Sequence, residues 1–237
     1  MSMFLAEHTG NGVRIAVIDS GVHAAHPHVR GVAGGFGILE DGALVDEYVD
    51  RLGHGTAVAA AIREKAPDAE IFAIKVFWHT LATDVGSLTR AIAEAAGYGA
   101  TIINLSLGTA DMQHRRRLEA AVAAAAGVGS FVIAALDDNG RRWLPGSLPG
   151  VLGVRADWTC DRHGYSVSSL EGRPVLLTSP YPRGIPGVPR ERNVHGVSFA
   201  VANATGFVAR ALEAFPGSDV ARVFAILQEA ECVAPSA

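Results

Sequence analysis

Three residues able to move protons or attack a carbonyl stand where the chain passes from one element to the next. Asp19 follows the apolar run Val13–Ile18 within Asp19-Ser20-Gly21. His54 sits between two glycines in Gly53-His54-Gly55-Thr56, which gives its ring unusual access. Ser198 lies in Gly196-Val197-Ser198-Phe199-Ala200, entering a helix-length apolar segment whose dipole and unpaired N–H groups favour negative charge. Singly, each has a plainer reading: a turn, a histidine near a helix start, a serine N-cap. Together they supply what a hydroxyl nucleophile requires, a base to take its proton and a third group to orient that base. His54 follows Asp19 by 35 residues and Ser198 follows His54 by 144. This Asp, His, Ser order is one of three in which such triads occur on unrelated folds.

Positioning such distant residues is a task for a sheet whose strand ends share one crevice. Strand-length apolar runs are found at Val13–Ile18, Glu70–Val76, Thr101–Leu107, Phe131–Leu136, Val151–Val154 and Val175–Thr178. Their β-branched content without clean alternation predicts burial on both faces. Between them lie helix-length stretches at His54–Lys65, Asp84–Ala96, His114–Ala126, Ser198–Phe215 and Ser218–Ala230, with Ser218 the expected N-cap of the last. The alternation predicts an α/β fold, a three-layer, doubly wound, mostly parallel sheet with helices on both faces, forming a single domain over residues 1–237. No solenoid-length repeat is present, and the Pro/Gly/Arg-rich segment Ser179–Arg192 reads as a surface loop.

On these motifs the chain resembles the subtilases, the subtilisin-like serine proteases, from about Val13 to Phe215. The resemblance implies that Ser198 attacks the scissile carbonyl, His54 takes and returns the proton, and Asp19 orients the imidazole. It also implies that Leu105, Ser106, Leu107 and Gly108, within Ile103-Asn104-Leu105-Ser106-Leu107-Gly108, pair with an extended substrate, and that Ala134 and Ala135 border its pocket. His26-Pro27 fits the same pattern, so His23, His26 and His28 are not read as a metal cluster.

Departures from the family pattern concern the oxyanion hole and calcium. A subtilase normally presents Ala-Ala-Gly-Asn, whose asparagine amide stabilises the oxyanion. This chain has Ala134-Ala135-Leu136-Asp137-Asp138-Asn139-Gly140, which puts Asp138 at the donor position unless a one-residue slip brings Asn139 there. An ionised carboxylate accepts hydrogen bonds and cannot replace the amide. Loss of one such donor costs about 10²–10³ in rate, a magnitude known from a subtilisin. The usual threonine before the nucleophile is Val197, and a family proline after it is Ala202. Where secreted subtilases insert a calcium loop, Arg63-Glu64-Lys65-Ala66-Pro67-Asp68-Ala69 crosses directly, so no metal and no other cofactor is expected. Only 18 residues precede Asp19, which reads either as a mature or trimmed form or, the favoured expectation, as a protein without signal or propeptide acting in the cytoplasm.

Composition limits the partners. Twenty basic against 24 acidic residues give a formal charge of −4, so no global positive field exists to hold nucleic acid or an anionic membrane. No apolar run is long enough to span a bilayer. Cys160 and Cys232 are read as free thiols. The expected partner is a peptide or protein substrate, with oligomeric state undetermined. Smaller signals are the run His114-Arg115-Arg116-Arg117, suited to acidic substrate residues or simply solvated; Asp137 and Asp138, suited to a basic one; His195 near the nucleophile; and Trp78, Trp143 and Trp158. The leading reading is a slow, specific serine endopeptidase, for example one removing leader peptides. The alternatives are a silent peptide-binding subunit and an acyl-transferring ligase or macrocyclase.

Overall fold

The computed structural model describes residues 3–231. In chain order its elements are α1 (Met3–Ala6), β1 (Arg14–Asp19), β2 (Gly34–Ile38), β3 (Leu44–Val45), α2 (His54–Lys65), β4 (Glu70–Lys75), α3 (Val85–Gly97), β5 (Ile102–Leu105), α4 (Arg115–Gly127) and β6 (Phe131–Ala135). There follow β7 (Asp137–Asp138), β8 (Arg141–Arg142), β9 (Leu152–Ala156), β10 (Tyr165–Leu170), β11 (Arg173–Thr178), α5 (Val197–Ala214) and α6 (Val220–Glu231). Nine strands form one sheet in the order β10-β11-β9-β6-β5-β1-β4-β2-β3. It is parallel from β11 to β2 and antiparallel only at its two margins, β10 on β11 and β3 on β2.

Side-chain alternation along each strand sorts the sheet into two cores. Ile15 and Val17 of β1, Ile71 and Ala73 of β4, and Ile133 and Ala135 of β6 face α2, α5 and α6. Ala16 and Ile18, Phe72 and Ile74, and Val132 and Ala134 face α3 and α4. The expected three-layer arrangement follows from this two-sided burial. Asp19 continues the parity of Ile15 and Val17, so it falls on the face where α2 and α5 lie. Those two helices touch closely at Gly206, where an added Cβ would stand 2.4 Å from Lys65 Cβ.

The segment between α2 and β4 is held by one side chain. Arg63, largely buried, donates to the carbonyls of Val29 (2.9 Å), Gly31 (3.2 Å), Pro67 (2.8 Å) and Ala69 (2.6 Å). Buried carbonyls need donors, and a guanidinium presents five N–H groups in a fixed fork.

Several local expectations are corrected. Asp219, not Ser218, caps α6: its carboxylate accepts from Arg222 N at 2.8 Å, while Ser218 Oγ turns back to Phe215 O. β2 was not expected because Gly-Gly-Phe-Gly-Ile carries little apolar bulk. The glycines are needed there: a Cβ on Gly37 would stand 2.6 Å from Glu47 O and 2.7 Å from the Trp78 ring. β10 has the alternation Tyr165-Ser166-Val167-Ser168 of a half-buried strand, not a continuous apolar run. The Ser179–Arg192 segment is a loop apart from one short turn, Arg190–Arg192. Cys160 is a free thiol, pushed up to about 11 by burial and the nearby charges of Asp157 and Asp161, and Cys232 lies outside the described residues. Among the described residues no helix is long and apolar enough to cross a membrane.

Candidate active site

Asp19, at the carboxyl end of β1, is fully buried. Its two carboxylate oxygens lie 2.8 and 2.9 Å from His54 Nδ1, and Oδ1 also accepts from Ser20 N at 2.7 Å. His54 opens α2 after Gly53, whose φ of 85° is a left-handed conformation that suits glycine. Gly55 answers a different need: a Cβ there would stand 2.2 Å from Gly21 O and 3.1 Å from Asp19 Oδ1. The missing side chain lets the turn after β1 and the start of α2 close on one another. Burial works against the protonated ring, yet the hydrogen bond and charge of Asp19, with the charge of Asp50 behind it, outweigh this, and the His54 pKa lies above its ordinary value.

Asp50 is the residue that motif reading missed. It accepts from Ser20 Oγ (2.9 Å), Leu52 N (2.9 Å), Gly53 N (2.8 Å), Thr56 N (2.8 Å) and Thr56 Oγ1 (2.6 Å). Ser20 Oγ in turn accepts from Gly55 N at 2.9 Å. Burial alone would raise the Asp50 pKa, but these donors lower it. The carboxylate thus holds the Thr56 N–H in the first turn of α2 and the N–H groups of Leu52 and Gly53 just before it, and through Ser20 Oγ ties them to the turn after Asp19. An acidic residue shortly before a helix start was the available signal.

Ser198 lies in the first turn of α5, which begins at Val197 after Gly196. Its hydroxyl does not cap the helix. Ser198 Oγ donates to Ser106 O at 3.1 Å, and Ser106 Oγ lies 3.2 Å from both Ser198 O and Asn104 Oδ1. Asn104 Nδ2 donates to Thr205 Oγ1 at 2.9 Å, which joins β5 to α5. Among the described residues no hydrogen bond links Ser198 to His54.

His54 and Ser198 line one cavity of about 830 Å³. Ser106, Leu107, Gly108, Ala135, Asp138 and Asn139 line it with them. Leu105 and Ala134 do not, because strand parity turns both toward α3 and α4, where they are fully buried. The expectation that these two contact substrate is therefore corrected. Outside the regular elements, no backbone–backbone hydrogen bond among the described residues uses Leu107 or Gly108, whereas the next residue, Thr109, is paired with Leu144. A short stretch of backbone without such pairing thus borders the cavity.

Asp138 and Asn139 belong to a hairpin that the strands read from the sequence did not include. β7 and β8 pair Asp137 with Arg142 and Asp138 with Arg141, and the two residues between have φ of 51° (Asn139) and 76° (Gly140). Positive φ at both is the type I′ turn that Asn-Gly favours. Asn139 Nδ2 donates to Asp138 Oδ2 at 3.2 Å. His114, Trp143, Trp158 and His195 also line the cavity, while Trp78 stands elsewhere with its indole N–H on Ile38 O. Among the described residues no three His, Cys, Asp or Glu side chains converge as a metal-binding group.

Residues 10–169 match the model of the subtilase family. The chain belongs to the subtilase family. The match includes Asp19 and His54, with Ser198 beyond its end. The subtilase is similar to the thermostable alkaline protease of Halalkalibacterium halodurans, with 32% identity over 183 residues, covering 72% of this chain and 48% of that protein. It therefore spans about half the length of that relative. Subtilisin BL of Lederbergia lenta is 32% identical over 208 residues, covering 83% of this chain and 72% of that one. The crystal structure of a lanthipeptide protease shares the fold with a TM-score of 0.67 at 20% identity, covering 92% of this chain and 80% of that chain.

Proposed function

We propose that this subtilase hydrolyses a bond in an extended peptide through an acyl-enzyme on Ser198. The observation that carries the reading is the pairing of both Asp19 carboxylate oxygens with His54 Nδ1 beside a cavity that Ser198 lines. A proton held on Nδ1 leaves Nε2 as the base. Ser198 Oγ turns from Ser106 O toward that nitrogen, gives up its proton and attacks the carbonyl carbon. His54, now charged and stabilised by Asp19, returns the proton to the leaving amine, and water then releases the acyl group by the same steps in reverse. Backbone N–H groups of the first turn of α5, with the Asn139 amide turned in from the hairpin tip, are the donors proposed for the oxyanion. Leu107 and Gly108 offer the backbone edge on which the substrate adds as a strand.

We take the substrate to be a defined peptide, such as the leader of a precursor, cleaved in a reducing compartment. The free thiol of Cys160 and the fold shared with a lanthipeptide protease support this reading. At the α2 to β4 crossing, the Arg63 guanidinium supplies the positive charge on which carbonyls converge, which supports a chain that needs no calcium there. A fluorophosphonate probe tests the central claim. Labelling at Ser198 that disappears in Ser198→Ala is the expected result. A folded protein that resists the probe would refute it and favour the second reading, a peptide-binding subunit, for which the rest position of Ser198 Oγ on Ser106 O speaks.

A further inference from the structure

We infer that Asp138 selects a substrate with lysine or arginine immediately before the cut, an inference that rests on the nucleophile site proposed above. The hairpin carries four charged residues: Asp137, Asp138, Arg141 and Arg142. Asp137 is engaged by Arg155 at 2.9 Å, and Arg142 by Glu171, so both point their charge into ion pairs with neighbouring strands and loops. Arg141 is exposed and does not line the cavity. Asp138 lines it, half-buried, and among the described residues no ion pair includes it. Among the described residues, the one hydrogen bond to its carboxylate comes from the neutral amide of Asn139.

No permanently charged cation lines the cavity to pair with that carboxylate. The cavity's other ionisable groups are His54, Asp84, His114 and His195, with no lysine or arginine. His54 is held by Asp19, and Asp84 is consumed at the start of α3, where it accepts from Ser87 N at 3.0 Å and from Ser87 Oγ. A single carboxylate therefore remains for the substrate, in a site that partly excludes water and so strengthens its pull on a cation.

The position of Asp138 assigns it to a particular substrate residue. The edge Ser106–Gly108 begins at the carbonyl that holds Ser198 Oγ, so a peptide paired along it brings its reacting carbonyl to that end. Beside this edge stand Ala135, Asp138, Asn139 and Trp143. Gly108 is pressed against this wall: an added Cβ would lie 3.0 Å from the Trp143 ring and 2.4 Å from Leu144 O. The small side chain at Ala135, which lines the cavity, leaves room for a long side chain. Its methylenes would run past Ala135 and Trp143, and its charged end would reach Asp138. The type I′ turn holds Asp138 in place, so little ordering accompanies the contact.

Peptidyl diphenyl phosphonates that differ only in the residue at the reacting phosphorus test this, because their rate of covalent capture by Ser198 does not require turnover. With arginine or lysine there, capture should be about 10- to 100-fold faster than with leucine, the range expected of a charge-assisted contact. Within Asp138→Asn that ratio should fall to near unity, and within Asp138→Glu it should persist. Each ratio is internal to one protein, so a variant of altered overall reactivity still reports. Equal or faster capture of the leucine or glutamate probe by the wild-type protein overturns the inference, as does an unchanged ratio in Asp138→Asn. Failure of every phosphonate, together with failure of the simple fluorophosphonate, would instead refute the nucleophile itself.

Discussion

Replacing Asp50 by asparagine separates positioning from chemistry. Oδ1 takes three donors, Ser20 Oγ, Leu52 N and Gly53 N, and Oδ2 takes two, Thr56 N and Thr56 Oγ1. An asparagine that keeps its carbonyl at Oδ1 puts an NH₂ group where Oδ2 was, facing a peptide N–H and a hydroxyl. The Thr56 hydroxyl can rotate to accept, but Thr56 N is left buried and unpaired, at a cost of about 1–3 kcal/mol. The remaining three bonds lose their charge assistance, so a total near 2–4 kcal/mol is expected. For a domain of this size that lowers the melting temperature by roughly 5–15 °C. Because the Asp50 charge helps to raise the His54 pKa, removing it should also move the acid limb of the pH–rate profile to lower pH. Thermal unfolding followed by circular dichroism and the pH dependence of fluorophosphonate labelling read the two effects separately. An unchanged melting temperature, or an acid limb displaced upward, would refute the assignment of Asp50 as the group that ties α2 to the turn after β1.

Three further outcomes are expected. In the unaltered protein, labelling should rise with pH through a midpoint above 6.5, since His54 must lose its proton to act and its pKa is raised. The same shift stabilises the fold below pH 6.5 and is lost as pH climbs through the folded value, as a urea titration across that window can measure. Asp19→Asn should cut the rate by about 10⁴, as the corresponding change does in an unrelated serine protease, and carry the acid limb downward. Gly206→Ala should destabilise by about 1–3 kcal/mol in denaturant melts, the clash with Lys65 exceeding the gain in helix propensity.

The parallel sheet was legible because its strands are buried on both faces and so read as β-branched runs. The bounds of α2, His54–Lys65, were legible to the residue. Parity was the information left unused. Asn104 faces α5 and Leu105 faces α3, so a motif spanning both cannot contribute every member to one cavity. The same rule separates Ala135 from Ala134. The Asn139-Gly140 hairpin carried a strong signal, an Asn-Gly pair between short charged segments, but without the apolar alternation that usually marks flanking strands. Asp50 could not be weighed from sequence, because its importance lies in five donors gathered from two separate turns.

The carbonyls that Arg63 gathers come from two places, residues 29–31 just ahead of β2 and residues 67–69 just ahead of β4. These are adjacent strands, and β2 with its short partner β3 forms one margin of the sheet. A single guanidinium thus sets the alignment of that margin at its starting end, much as a pin sets two rulers side by side. Without it, the carbonyls ahead of β2 and β4 would lose their shared donor, and the two strands would rely on their backbone ladder, Gly34–Gly37 against Phe72–Lys75, and on the burial of Ile38 to keep their register.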